Sequence, residues 1–172
     1  MAGDVLESYV EKMKRLKIDR AHGPAPHKPA LLLSVIALIE SGEIEENRIT
    51  VTRELAEMFA KYWVRVTERQ PNIAMPFFHL RRDGFWHLRA NPGYETVLEV
   101  TSSIRTMRHL REVISHVTLD DELFELLGEA EGRAAIRRVL IEMYFPDSEE
   151  AIERLIAEER RVRECVARLY GV

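Results

Sequence analysis

Two stretches of the chain, about fifty residues apart, hold the residues best suited to chemistry: APHKPALLL at 25–33 and MPFFHLRRDGFWHL at 75–88. Each sets histidine, cationic groups and proline against a strongly apolar run. Imidazole and cation beside apolar surface suit a site that grips a charged group through an apolar contact. The second stretch adds Arg81 and Arg82, so it is basic as well as aromatic.

The elements that must position these groups follow from the residue pattern. In the first stretch Pro29 fits the first helical position, where its missing N–H costs nothing. Leu31, Leu32, Leu33, Val35, Ile36 and Ile39 then predict a nearly all-apolar helix over 29–40, whose free first-turn N–H groups beside Lys28 make an anion site. The second stretch reads as a hairpin, with strands 77–80 and 85–88 around the turn 81–84. That reading sets His79 across from His87 and puts about half of Phe77, Phe78, Phe85 and Trp86 in the core. Elsewhere Val5, Tyr9, Met13 and Leu16 predict an amphipathic helix over 4–17, followed by a loop to Pro26. A short strand is expected at 48–51, and Thr52 caps a helix to about Val66. Further helices are expected near 94–99, 104–115, 119–127 and 130–144, and a last one begins at Asp147 or Ser148. The fold class is α+β, a predominantly helical single domain with a small β-hairpin.

At 172 residues and 46% hydrophobic content the chain can bury a real core. No run approaches the eighteen apolar residues of a membrane span and the start has no signal-peptide stretch, so a cytoplasmic protein without membrane partners is expected. The lone Cys165 excludes an intrachain disulfide. The net charge of −4 is unevenly spread. Residues 1–60 hold eight Lys or Arg against ten acids, 61–111 nine against four, and 112–172 eight against fifteen. The middle segment is the basic one, and a local basic surface binds phosphates even in an acidic protein. No GxSxG, GK[ST], GxGxxG or HExxH motif occurs, so no catalytic residues, cofactor or metal are assigned. Asp120, Asp121 and Glu122 read as acids opposing a helix dipole, not as metal ligands. Tyr144, Phe145 and Pro146 read as a helix end that packs two aromatics. The last helix is charged on most faces, with a stripe of Ile152, Leu155, Ile156, Val162, Val166 and Leu169 that suits another chain, a second copy among the candidates. On these residues a general DNA-binding module and a protein-interaction module both remain open.

The order PHKPALLL, MPFFHLRRDGFWHL, LDDELFELL (119–127) and RRVLIEMYFP (137–146) resembles the sulfur-binding domain of McrA-like type IV restriction endonucleases, over about residues 5–158. The resemblance implies a reader of double-stranded DNA whose backbone carries a phosphorothioate, and it implies no catalysis by this domain. Family members carry a separate HNH nuclease domain, which is not expected within these 172 residues; residues 1–147 are expected to form the recognition domain and 148–172 a linker-like helix. The resemblance makes Pro76 the apolar wall of a sulfur pocket, His27 and Lys28 its polar and cationic rim, with Met75 and His79 beside them. Arg81, Arg82, Arg89, Arg105 and Arg108 become phosphate or base contacts. Met75 stands where an aromatic is expected and Lys28 where arginine is frequent. Methionine is a soft partner for sulfur, whereas lysine offers a point charge in place of a planar fork.

Overall fold

The computed structural model describes residues 2–171. In chain order its helices are α1 (Ala2–Lys14), α2 (His27–Ser41), α3 (Arg53–Val66), α4 (Ala74–His79), α5 (Glu95–Val100), α6 (Met107–Val113), α7 (Asp121–Leu127), α8 (Ala130–Tyr144) and α9 (Glu149–Leu169), and its strands are β1 (Trp86–Ala90) and β2 (Ile114–Leu119). Short 3-10 turns occupy Leu80–Asp83 and Pro146–Ser148. A helix with no polar side has to run through the middle of a domain. That is where α2 lies, with every residue from Lys28 to Leu38 buried and α3, α4 and α8 packed around it. The helix starts two residues earlier than expected, at His27, so Pro29 is its third residue. The third position is still within the first turn, whose N–H groups have no intrahelical acceptor. Gly42 ends the helix at φ +83°, a left-handed conformation that glycine adopts without a Cβ clash.

Thr52 caps α3 as expected, its side chain accepting from the Leu55 N–H at 3.1 Å, and Leu55, Met58, Phe59 and Tyr62 form its buried face. Tyr144 and Phe145 end α8 and are both buried. The Tyr144 hydroxyl donates to the Met13 carbonyl at 2.6 Å and accepts from the Leu16 N–H at 3.1 Å, which ties the end of α1 to α8. Asp120 stands at the N-cap position of α7, yet its carboxylate turns away from the helix. It accepts from the Tyr9 hydroxyl at 2.7 Å and meets His87 Nε2 at 2.6 Å.

The hairpin expected over 77–88 does not form. Residues 74–79 are helix α4, continued by the 3-10 turn, and β1 pairs instead with β2, antiparallel, in the register Trp86↔Leu119, His87↔Thr118, Leu88↔Val117 and Arg89↔His116. Two causes are visible. The Asn72 side chain caps the start of α4, Oδ1 accepting from the Met75 N–H at 3.0 Å, and Pro76 suits a first helical turn. Phe77, Phe78, Phe85 and Trp86 are all buried, which an alternating two-faced hairpin cannot achieve. His79 and His87 therefore stand on different elements. The helix expected over 104–115 is shorter, because Ile114, Val117 and Thr118 are β-branched and continue as β2 after Val113. The strand expected at 48–51 is a single bridge, Ile49 to Val117. Of the stripe on α9, Ile152 and Leu155 are buried, while Val162, Val166 and Leu169 are exposed. No helix among the described residues is long and apolar enough to cross a membrane.

Candidate functional site

The start of α2, the loop after α1 and the face of α4 enclose a cavity of about 200 Å³. Its lining is Lys17, Ile18, Asp19, Ala25, His27, Lys28, Met75, Pro76, His79 and Arg82. All five residues of the expected sulfur and phosphate site, His27, Lys28, Met75, Pro76 and His79, meet here from two segments far apart in sequence. The helical form of 74–79 explains the convergence on one side. Residues 75 and 79 are four apart and so share a helix face with Pro76 between them, which alternate strand positions would not have arranged in this way.

Pro76 is buried, Met75 and His79 are half-buried, and Ile18 and Ala25 supply the opposing apolar surface. His27 leans on Trp63, ring centroids 4.7 Å apart, and Trp63 is itself anchored by donating to the Arg69 carbonyl at 2.7 Å. Burial, and then the charge of Arg69, hold the His27 imidazole below its ordinary pKa. The His79 ring stands edge-on to Phe78, and burial followed by Arg82, Lys28, Arg81 and Arg105 lowers its pKa as well. Both rings are neutral at pH 7, each able to offer a donor or an acceptor without a formal charge.

Lys28, expected as a cation on the rim, lines the cavity with its charge turned inward. Its side chain is 8% exposed and its Nζ donates to Asp83 Oδ2 at 2.7 Å and to the Lys17 carbonyl at 2.5 Å. Asp83 is 3% exposed, and its other oxygen accepts from the Lys17 N–H at 2.7 Å. Burial is the main cause of a lowered Lys28 pKa, with the Asp83 carboxylate acting in the opposite direction. The pair thus pins the 17–19 wall to the turn after α4 and spends the lysine charge on Asp83. The cations left to face an anion are Arg82 and Lys17, both exposed, with Asp19 the one carboxylate in the lining.

The remaining arginines separate. Arg81 turns inward, its guanidinium 4.2 Å from the Phe78 ring centroid and donating to the Thr101 carbonyl at 3.1 Å. Arg105 is exposed near His79, and its carbonyl accepts from Asn72 Nδ2 at 2.9 Å. Arg108 is exposed on α6, and Arg89 lies on the outer face of the sheet with both Nε and Nη2 on Thr118 Oγ1; neither lines the cavity. Ile18, Ala25, Trp63 and Asp83 were not legible as site residues. Asp83 reads locally as a turn residue, and only its partner fifty-five positions away gives it another role. A soft apolar floor, two neutral imidazoles and a cationic edge can accommodate a large, weakly hydrated atom attached to an anion.

No curated protein matches the chain. Among solved structures, the sulfur-binding domain of SprMcrA complexed with phosphorothioated DNA is similar at TM-score 0.62 and 20% identity, over 84% of this chain and 88% of that one. The sulfur-binding domain of ScoMcrA complexed with phosphorothioated DNA is similar at TM-score 0.57 and 23% identity, over 80% and 87% of the two chains. A structure of the sulfur-binding and SRA domains of ScoMcrA is similar at TM-score 0.60 and 24% identity over 80% of this chain, which spans 43% of that protein. At these identities the structures establish a shared fold. The sequence match reaches further, running over residues 6–158 and both segments that build the cavity, and by it the chain belongs to the family of ScoMcrA-like DNA sulfur-binding domains.

Proposed function

We propose that the cavity receives the sulfur of a phosphorothioate linkage in double-stranded DNA, and that the domain binds such DNA without acting on it chemically. The observation that carries this reading is the convergence of His27, Met75, Pro76, His79 and Arg82 on one cavity of about 200 Å³. Sulfur in place of a non-bridging oxygen leaves the phosphate charge intact while making one atom larger, more polarizable and less hydrated. Arg82 and Lys17 answer the charge, and Met75, Pro76, Ile18 and Ala25 answer the sulfur. Family membership and the similarity to domains complexed with phosphorothioated DNA support the same substrate. In this reading residues 148–172 lead from the domain toward an effector, and the domain serves as the targeting module of modification-dependent restriction.

The apolar contact discriminates sulfur from oxygen by about 1–3 kcal/mol, or roughly ten- to a hundred-fold in affinity. The test is fluorescence anisotropy with two duplexes of one sequence, with and without the sulfur, at a fixed salt concentration of about 150 mM because phosphate contacts are salt-dependent. Wild type prefers the sulfur-bearing duplex, and Pro76→Glu and His27→Ala abolish the preference while keeping the wild-type circular dichroism spectrum. Equal binding of the two duplexes by wild type refutes sulfur recognition; full preference retained in both variants refutes the site.

A further inference from the structure

The two-stranded sheet has one edge that no described residue pairs. In β2 the Val117 N–H and C=O bond to Ile49, and the Leu119 N–H and C=O bond to the Asn47 side chain, so both residues turn away from β1. Leu88 and Trp86 stand opposite them in the register, and in such non-hydrogen-bonded pairs each partner turns its backbone groups outward. The Asp120 N–H on the Phe85 carbonyl at 3.1 Å and the Asn91 N–H on the Val113 carbonyl at 2.8 Å fix the same alternation at both ends of β1, which adds Ala90 to the outward set. The N–H and C=O groups of Leu88 and Ala90, at half-buried positions, have no hydrogen-bond partner among the described residues. Beside this edge lies an open groove of about 640 Å³, lined on the strand side by Leu88 and Ala90 and on the side of α5 by Glu95, Leu98 and Glu99. No residue of α5 is buried, and its Val97 and Val100 are exposed. The two arginines in the lining are engaged, Arg81 with Phe78 and the Thr101 carbonyl and Arg89 with the Thr118 hydroxyl. Glu95 and Glu99 form no ion pair among the described residues.

We propose that this groove docks an extended segment of another polypeptide, which adds a third strand to the sheet at β1 and carries apolar side chains alternating with lysine or arginine. The strand edge sets the backbone of the ligand, because a row of outward N–H and C=O groups is matched by the alternating donors and acceptors of an extended chain. A sheet edge left open in this way is a template for another strand unless something covers it. The walls set the side chains. Leu88 and Leu98 offer apolar contact, and Glu95 and Glu99, four apart and so on one face of α5, draw a cation. The same two carboxylates and the outward carbonyls oppose a phosphate backbone, which decides for a peptide over a nucleic acid. None of the residues lining this groove lines the sulfur cavity, so the site is separate from it.

The experiment is fluorescence anisotropy of the full chain with three labelled hexapeptides: valine alternating with lysine, valine alternating with glutamate, and proline alternating with lysine. The valine–lysine peptide binds saturably, the glutamate peptide binds at least ten-fold more weakly, and the proline peptide, which lacks the N–H donors, does not bind. Ala90→Pro deletes one outward N–H while sparing the ladder bonds to β2, and it abolishes peptide binding with the wild-type circular dichroism spectrum kept. The double variant Glu95→Gln with Glu99→Gln, at two exposed positions, weakens the lysine peptide about ten-fold, the effect of two surface ion pairs. Pro76→Glu binds the peptide as wild type does, so failure of the sulfur reading leaves this outcome untouched. Absence of saturable binding overturns the proposal, as does equal binding of the lysine and proline peptides. Loss of peptide binding in Pro76→Glu with retention in Ala90→Pro moves the ligand to the sulfur cavity, and displacement of the peptide by an unmodified duplex makes the groove a DNA contact; either result also overturns it.

Discussion

Replacing Asp83 by asparagine isolates what holds the sulfur cavity in shape. Asparagine keeps the volume and can still accept from the Lys17 N–H, so the change removes chiefly the negative charge facing Lys28. At 2.7 Å, with both side chains under a tenth exposed, the Coulomb attraction at an effective dielectric constant of about 20 is roughly 6 kcal/mol. The molecule cannot lose all of that, because the stranded lysine can give up its proton. From its ordinary value of 10.5, deprotonation at pH 7 costs at most about 5 kcal/mol, and less here because burial has already lowered the Lys28 pKa. The expected loss of folding stability is therefore about 3–5 kcal/mol at pH 7, as for other buried pairs broken from one side. The assay is urea denaturation followed by the fluorescence of Trp63 and Trp86, both buried. The sign with pH follows from the same argument. Without the carboxylate, Lys28 binds fewer protons folded than unfolded, so the variant regains stability as pH rises from 7 towards 10. A loss under about 1 kcal/mol at pH 7, or a loss that grows with pH, refutes the buried ion pair. Stable Asp83→Asn protein with weakened DNA binding would show instead that the pair acts at the ligand.

Three further outcomes follow from the same geometry. Arg82→Gln weakens modified and unmodified duplexes alike and reduces the steepness of the salt dependence by about one phosphate contact, whereas Arg81→Gln leaves that slope unchanged because its guanidinium sits on Phe78; anisotropy at several salt concentrations checks both. His27 and His79 titrate below 6.5 in the folded protein, so the unfolded chain takes up protons first and stability falls as pH drops from about 6.5 through the folded values; urea midpoints between pH 7.5 and 5 should follow this, and His27→Gln should flatten the profile. Asn72→Ala removes the cap on α4 and the bond to the Arg105 carbonyl, costing about 1–2 kcal/mol by denaturation and reducing sulfur preference through a loosened Met75 and His79.

Local composition determined a good part of this protein. A nearly all-apolar run from Leu31 to Leu38, broken only by Ser34, makes a central helix, Thr52 satisfies an amide of the turn that follows it, and Tyr144-Phe145-Pro146 stops a helix and buries its aromatics. Each property depends on residues within a turn or two, which is the range over which sequence pattern carries information. The family resemblance carried by the two motifs also brought His27, Lys28, Met75, Pro76 and His79 forward as one site, and the fold joins them in one cavity. Tertiary structure decided the rest. The partner of β1 is β2, not the segment just before it, because residues 74–79 bury Phe77 and Phe78 as a helix, and strand pairing between positions some thirty residues apart leaves no trace in residues 77–80. The charge of Lys28 is spent on Asp83 fifty-five residues away, and Glu40 gathers Arg160 from a hundred and twenty residues away. An ion pair between distant positions appears in a sequence only as scattered charges, since nothing in the identity of a lysine or a glutamate says how much water it will keep. Which cation faces the ligand and which one holds the wall was therefore settled by burial, and burial belongs to the folded chain.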